Sequence, residues 1–504
     1  MKYSELFFIS SLYQSNIYNS TFFSSDNEDD NGVKGFCNCL LIFYLKPAIP
    51  NESIIKQHCD LIYVGSNNDS IHSSQKPLEF PELSVTTEVV SIDSYIDIES
   101  DTVSIILCFL KKESKPKSMI HIYDAHLKSE SPAEMMEKFK PNLVFKKEIG
   151  FNPLHVTHTK YWNTSNEKLG FAYVVSISDE YLSHSQKDKL SPFLLAFIKQ
   201  TGHQEQGDID FQFLLSRTGF SDNDPLDFFK DKKSVRRSAF IEKNTRKRAD
   251  LDDSENRFDE MTSIPKKYIE CVNINQNFLE FSLVKQKVLF MDFKINTENY
   301  QRISCFGCDC GKFLVSILNL KKSEILAFFS SEHNSPITSL HLISNAQFMP
   351  KLEIGVPNAP SARTDYHLVV CSAVEQSVVY KDFVRHSGFS LKNQSCLKFS
   401  DQYDCVLSSA VVDIDMDGEL EILIGTFQHY VLMYKWQTSG LMDSGSFRLM
   451  AKQKCAGAVH AIMHVDVTRD GIKELLVLTS RGLHIFQLHL PYVQNILEQR
   501  LMLM

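Results

Sequence analysis

The sequence predicts an all-β protein, a β-propeller of seven blades. Three observations carry this expectation. Short apolar runs such as NCLLIFYL, EVVSIDSYI, TVSIILCFL, KVLFMDFKI and GLHIFQLHL recur along the chain between turn residues, with scarce helical periodicity. A segment that opens VVDIDMDGELEILIGT at Val411 returns as HVDVTRDGIKELLVLT at His464, an offset of 53 residues, as expected of stacked supersecondary units. About 450 ordered residues at about 50–65 per unit give roughly seven to nine units, and closing a ring of seven protects the sheet edges.

The chain has 504 residues, 43% of them hydrophobic and 23% charged, with 11% aromatic. This is globular composition, and with its β-branched residues it leans toward strands. A net charge of −9 argues against a protein that coats nucleic acid, because phosphate binding needs a basic face. MKYSELFFISSLYQSN does not read as a secretory leader: its apolar run is only Leu6–Ile9, and Glu5 interrupts the basic region. The longest apolar runs fall far short of the roughly 20 residues that span a bilayer. A soluble, intracellular protein without a transmembrane segment is expected, its twelve cysteines mostly reduced and buried.

Taken in order, residues 1–220 are expected to form the N-terminal blades, with a small acidic insert, SSDNEDDNGVKG, near residue 26. Residues 221–267 are polar and charge-segregated, basic before acidic, and read as a disordered insertion in a loop. KKSVRR and KNTRKR within it are read as a solvated loop, with a nuclear localisation signal as the alternative. Residues 268–490 are expected to form the C-terminal blades, and 491–504, PYVQNILEQRLMLM, a short apolar-faced helix that docks on its own domain or on a partner.

The two repeated turns carry the candidate site. Aligning Asp413 with Asp466 places Asp415 on Thr468, Asp417 on Asp470, Gly418 on Gly471 and Glu421 on Glu474. Calcium takes six to eight oxygens from carboxylates and carbonyls on a tight loop. An EF-hand would need a glutamate where Ile424 stands, and the flanks are strands. A hairpin loop of the form D-x-D-x-D-G-x-x-[DE] does fit, with Asp413, Asp415, Asp417 and Glu421 as candidate calcium ligands. The alternative is that the aspartates bond backbone amides and hold the turn. Asp466, Asp470 and Glu474 form a weaker candidate, because Thr468 stands at the third position with Arg469 beside it; that turn is expected to be metal-free. A third copy, KVLFMDFKINTENYQRISCFGCDCGKFLVSIL, keeps Asp292 but lacks the acidic loop.

No constellation of an enzyme emerges. GCDCGKF at 307–313 is one residue short of a phosphate loop and has Phe313 where a hydroxyl would bind magnesium. Cys305, Cys308 and Cys310 with Cys37 and Cys39 lack a second C-x-x-C pair, so buried strand cysteines are the plainer reading than zinc. His155 and His158 lack a third ligand nearby in sequence.

The two turns resemble FG-GAP repeats of integrin α-subunit propellers. The longer stretches YDCVLSSAVVDIDMDGELEILIGTFQHYVLMYKW and HVDVTRDGIKELLVLTSRGLHIFQ, with SSLYQSNIY and TEVVSIDSYI near the N-terminus, are similar to the kaptin family. The acidic insert and residues 221–267 depart from that family. The resemblance implies a non-enzymatic propeller scaffold that needs no cofactor. It also implies membership of the KICSTOR complex at the lysosome. The implied partners are a second propeller, the integrin-alpha FG-GAP repeat-containing protein, and a very large scaffold subunit. That assembly tethers a GATOR-type complex and restrains the target-of-rapamycin kinase complex when amino acids or glucose are scarce. Association with actin filaments in cell projections is the second role the resemblance implies.

Overall fold

The computed structural model describes residues 3–10, 20–24, 38–47, 55–67, 70–83, 87–97, 101–111, 117–127, 132–164, 166–178, 194–199, 267–271, 277–344, 366–438, 445–468 and 471–503. The architecture is an all-β propeller arrangement of seven four-stranded antiparallel sheets. After β1 (Tyr3–Ser10), the first sheet holds β2 (Ser20–Ser24), β3 (Asn38–Pro47), β4 (Ile55–Asn67) and β5 (Ser70–Pro77). The second holds β6 (Thr87–Asp97), β7 (Thr102–Lys111), β8 (Lys117–His126) and, after α1 (Pro132–Lys138), β9 (Asn142–Ile149). The third holds β10 (Asn152–Asn163), β11 (Lys168–Ser178), β12 (Leu194–Lys199) and β13 (Tyr268–Glu270). The fourth holds β14 (Val288–Asn296), β15 (Gln301–Cys308), β16 (Lys312–Asn319) and β17 (Glu324–Glu332). The fifth holds β18 (Ile337–Ser344), β19 (Tyr366–Ser372), β20 (Val378–Tyr380) and β21 (Gln394–Cys396). The sixth holds β22 (Val406–Val412), β23 (Glu421–Thr426), β24 (Tyr430–Thr438) and β25 (Gly445–Lys454). β26 (Val459–Val465), β27 (Glu474–Thr479) and β28 (Gly482–Leu488) form the seventh, completed by β1, which pairs with β28. A last helix, α2, spans Leu490–Leu503.

Burial explains why the strands read as they do. The middle strands β7, β23 and β27 are buried along nearly their whole length, because a neighbouring sheet covers each face. Their sequences are therefore continuous apolar runs rather than alternating ones. β17, at an outer edge, alternates half-buried with exposed residues instead. The apolar side chains gather in clusters shared by successive sheets. Leu61 with Val89 joins the first to the second, Val156 with Ile106 the second to the third, and Val174 with Val288 the third to the fourth. Cys305 with Ile337, Val369 with Val406, and Leu423 with Val459 continue the series. Ile62 of β4 packs among Val467, Leu476 and Ile485, which returns the seventh sheet to the first.

The first strands of the sheets lie side by side from β2 to β26. Six of them share a device the sequence did not reveal. Pairing slips by one residue near the start of β6, β10, β14, β18, β22 and β26. A bulge of this kind bends and twists its strand. In β6, β14, β18, β22 and β26 a fully buried Val or Ile begins the slip: Val89, Val288, Ile337, Val406 and Val459.

The third copy of the acidic turn is corrected by this register. Asp292 lies inside β14, opposite Cys305, not in a turn. Measured from the bulge it corresponds to Asp93 in β6 and Ala410 in β22, while Asp413 follows its strand. The turn after β14 is closed by Asn296, whose Oδ1 accepts from the amides of Glu298 at 3.1 Å and Asn299 at 3.2 Å.

By contacts the chain divides into one unit of residues 1–199 with 268–504 and a second of 200–267. Lys199 of β12 pairs with Tyr268 of β13. The acidic insert after Ser24 and the charged stretch 221–267, Lys267 aside, lie outside the described residues. Among the described residues no helix is long and apolar enough to cross a membrane.

Candidate functional site

The turn between β22 and β23 is built on Asp413. Its Oδ1 accepts from the Asp417 amide at 3.1 Å and its Oδ2 from the Gly418 amide at 2.9 Å. Asp417 Oδ1 in turn accepts from the Glu419 amide at 2.9 Å. The backbone needs left-handed conformations at Met416 (φ 59°) and Gly418 (φ 91°), and the second is a natural place for glycine. Glu421 begins β23 with no exposed surface, and its Oε2 accepts from the Ile414 amide at 2.9 Å. Asp413, Asp415 and Glu421 each bring one carboxylate oxygen within 4.8 Å of the others.

The sequence reading missed the residue at the centre of this group. Lys435, on β24, donates from Nζ to Asp415 Oδ1 at 3.1 Å and Oδ2 at 3.0 Å. It also contacts Asp417 Oδ2 and lies 2.6 Å from Glu421 Oε1. Burial would lower the Lys435 ammonium, but hydrogen bonds to Asp417, Glu421 and Asp415 outweigh it and hold its pKa above the usual lysine range. Burial would likewise raise Asp417, and the bonds from Lys435 and the Glu419 amide hold it below. Burial pushes Glu421 up to about 7 against the pull of Lys435. Burial also raises Asp413, opposed by the Gly418 amide.

This arrangement does not fit calcium. The ion would need the oxygens of Asp415, Asp417 and Glu421 that surround the ammonium. Calcium and Lys435 would be two cations at one point.

The second turn sets a hydroxyl and an amide on its glutamate. Asp466 Oδ2 accepts from the Gly471 amide at 2.9 Å. Fully buried Glu474 accepts from the Val467 amide at 2.7 Å, from Thr468 Oγ1 at 2.8 Å and from Gln487 Nε2 at 3.1 Å. Asp470 lies outside the described residues. Continuing the ladders Ile422–Tyr434 and Leu475–Phe486 by one pair sets Lys435 opposite Glu421 and Gln487 opposite Glu474. Lysine and glutamine therefore occupy equivalent places.

The other sequence candidates separate in space. Cys305 and Cys308 point to opposite faces of β15, into different apolar clusters, and Cys310 is exposed; those three do not converge on a metal. Cys37 and the side chain of Cys39 lie outside the description. Burial pushes Cys308 up to about 12 and raises Cys305 as well. GCDCGKF is the β15–β16 hairpin: a Cβ at Gly311 would lie 2.0 Å from the His333 carbonyl oxygen, so that glycine serves close packing. His155 stacks on Phe290 at 5.1 Å, and burial lowers its pKa to about 4, opposed by Asp93. His158 Nδ1 lies 2.7 Å from Asp93 Oδ2; burial lowers its pKa, but Asp93 outweighs that and raises it.

A pocket of about 510 Å³ lies among the bulged strands, with Asp93, His155, Asp292, Ser409 and His460 among its lining. Side chains stitch its wall: the Val156 amide donates to Ser91 Oγ at 3.0 Å, the Leu342 amide to Asp292 at 3.2 Å, and Ser409 Oγ to Ser339 Oγ at 2.8 Å.

Comparison with known proteins agrees with the turns. Residues 257–498 match the family model described as KICSTOR complex protein kaptin. The mouse protein of that name is 34% identical over 226 residues, which are 44% of this chain and 50% of the mouse protein. The chain thus spans about half the length of the curated relative it matches. Two solved structures of Sqt1 from Chaetomium thermophilum align at TM-score 0.40 and 11% identity in each case. They cover 97% and 95% of this chain and 100% and 98% of their own; one is bound to the N-terminus of the ribosomal protein L10. Likeness of that size carries no inference. Through residues 257–498, the chain is similar to the family of KICSTOR complex protein kaptin.

Proposed function

We propose that this chain is a non-enzymatic propeller scaffold, a subunit of a KICSTOR-type assembly at the lysosomal surface that restrains the target-of-rapamycin kinase complex when amino acids or glucose are scarce. The observation that carries the reading is the family match over residues 257–498. In this reading the seven sheets are FG-GAP-type blades of a closed ring. The β1–β28 pairing and the packing of Ile62 on the seventh sheet support closure. Recognition then uses sheet edges and end loops. β17 offers such an edge, with Leu326 and Phe328 exposed along it. The partners are a second FG-GAP-repeat propeller and a large scaffold subunit, and through them a GATOR-type complex.

Affinity purification from the protein's own cells, with mass spectrometry of what stays bound, tests the reading. Recovery of a second propeller and a very large subunit supports it. Recovery of actin and its bundling proteins alone would replace it with the cytoskeletal role.

A further inference from the structure

The turn from Asp413 to Glu421 holds a cation that belongs to the chain itself. We infer that Lys435 is the resident counter-ion of this turn, standing where a divalent metal would, and that replacing it with an uncharged side chain opens a calcium site. Three observations carry this. The Lys435 ammonium has both oxygens of Asp415, one of Asp417 and one of Glu421 around it, with Glu421 wholly buried. Carboxylates so close, in a site partly closed to water, repel unless a cation lies among them. Asp413 accepts from the Asp417 and Gly418 amides, which holds its carboxylate within 4.8 Å of those of Asp415 and Glu421.

The second turn is an internal comparison. At the third turn position it has Thr468 in place of Asp415, and at the facing ladder position Gln487 in place of Lys435. Glu474 accepts there from the Thr468 hydroxyl and the Gln487 amide. The two positions change together between the turns: acid with lysine, hydroxyl with amide. Lysine is thus matched to the acids of its own turn and is not a chance surface contact.

The test uses the full-length chain, titrated calorimetrically with calcium chloride, with magnesium chloride as control, and followed by thermal unfolding. Wild type is expected to show no saturable binding at the turn and no shift in Tm. Lys435→Met is expected to melt lower in chelator, to bind about one calcium per chain and to recover Tm with it. Calcium binding by wild type that Asp415→Ala abolishes would overturn the inference. So would a folded Lys435→Met that binds none. Should Lys435→Met not fold with or without calcium, the exchange Asp415→Thr with Lys435→Gln decides. It reproduces the pairing of the second turn and is expected to melt near wild type. A double variant no more stable than Lys435→Gln alone overturns the matching of the two positions.

Discussion

Arg302 and Glu280 have no exposed surface, and each guanidinium nitrogen donates: Nε to Glu280 Oε1 at 2.8 Å, Nη1 to the Lys160 carbonyl at 3.0 Å and Nη2 to the Asn277 carbonyl at 2.7 Å. It ties β10 and β15 to the segment before the fourth sheet. Removing one member of a buried pair strands the other charge, so Arg302→Met is expected to cost about 3–5 kcal/mol in urea unfolding, and the double change with Glu280→Met markedly less. His155 gives a pH signature. Its pKa is about 4 in the fold, held down by burial against Asp93, and about 6.5 in the unfolded chain. Between those values the unfolded chain binds a proton that the folded one does not, so stability falls as pH drops from 6.5 toward 4. His155→Gln should flatten that part of a Tm-versus-pH curve relative to wild type. At this scale the sequence showed Asp413 and Glu421, because they share one short motif. It hid Lys435, which lies on the next strand and meets them only through the ladder.

Strands were legible wherever a covered face enforces an apolar run, as in TVSIILCFL and EILIGT. The bulges were not, since a one-residue slip depends on the partner strand and leaves no composition signal. Their consequence lies in Gly307 and Gly425, each paired with the residue just after a bulge, Phe290 and Ser408. A Cβ at Gly307 would stand 2.5 Å from Ile337 Cγ2, and at Gly425 2.5 Å from Val459 Cγ1, both on the following sheet. Gly307→Ala and Gly425→Ala are each expected to destabilise by about 1–3 kcal/mol in denaturant unfolding. Gly150→Ala, with nothing within 4 Å, should stay within about 0.5 kcal/mol of wild type.

Across the whole molecule the 53-residue repeat was readable only in the last two sheets, where both acidic turns survive. Elsewhere long connections obscure it: residues 200–267 separate β12 from β13, and 345–365 separate β18 from β19. β1 pairs along the edge of fully buried β28 and completes the seventh sheet. Deleting residues 1–10 should lower Tm far more than truncation after Val493, since that residue is buried and most of the helix beyond it is exposed. The sharpest test of the proposed role is co-expression of this chain with a second FG-GAP-repeat propeller and the large scaffold subunit, followed by size-exclusion chromatography. A single stable complex containing all three is expected; a chain that elutes alone, while sedimenting with actin filaments, would contradict the scaffold role.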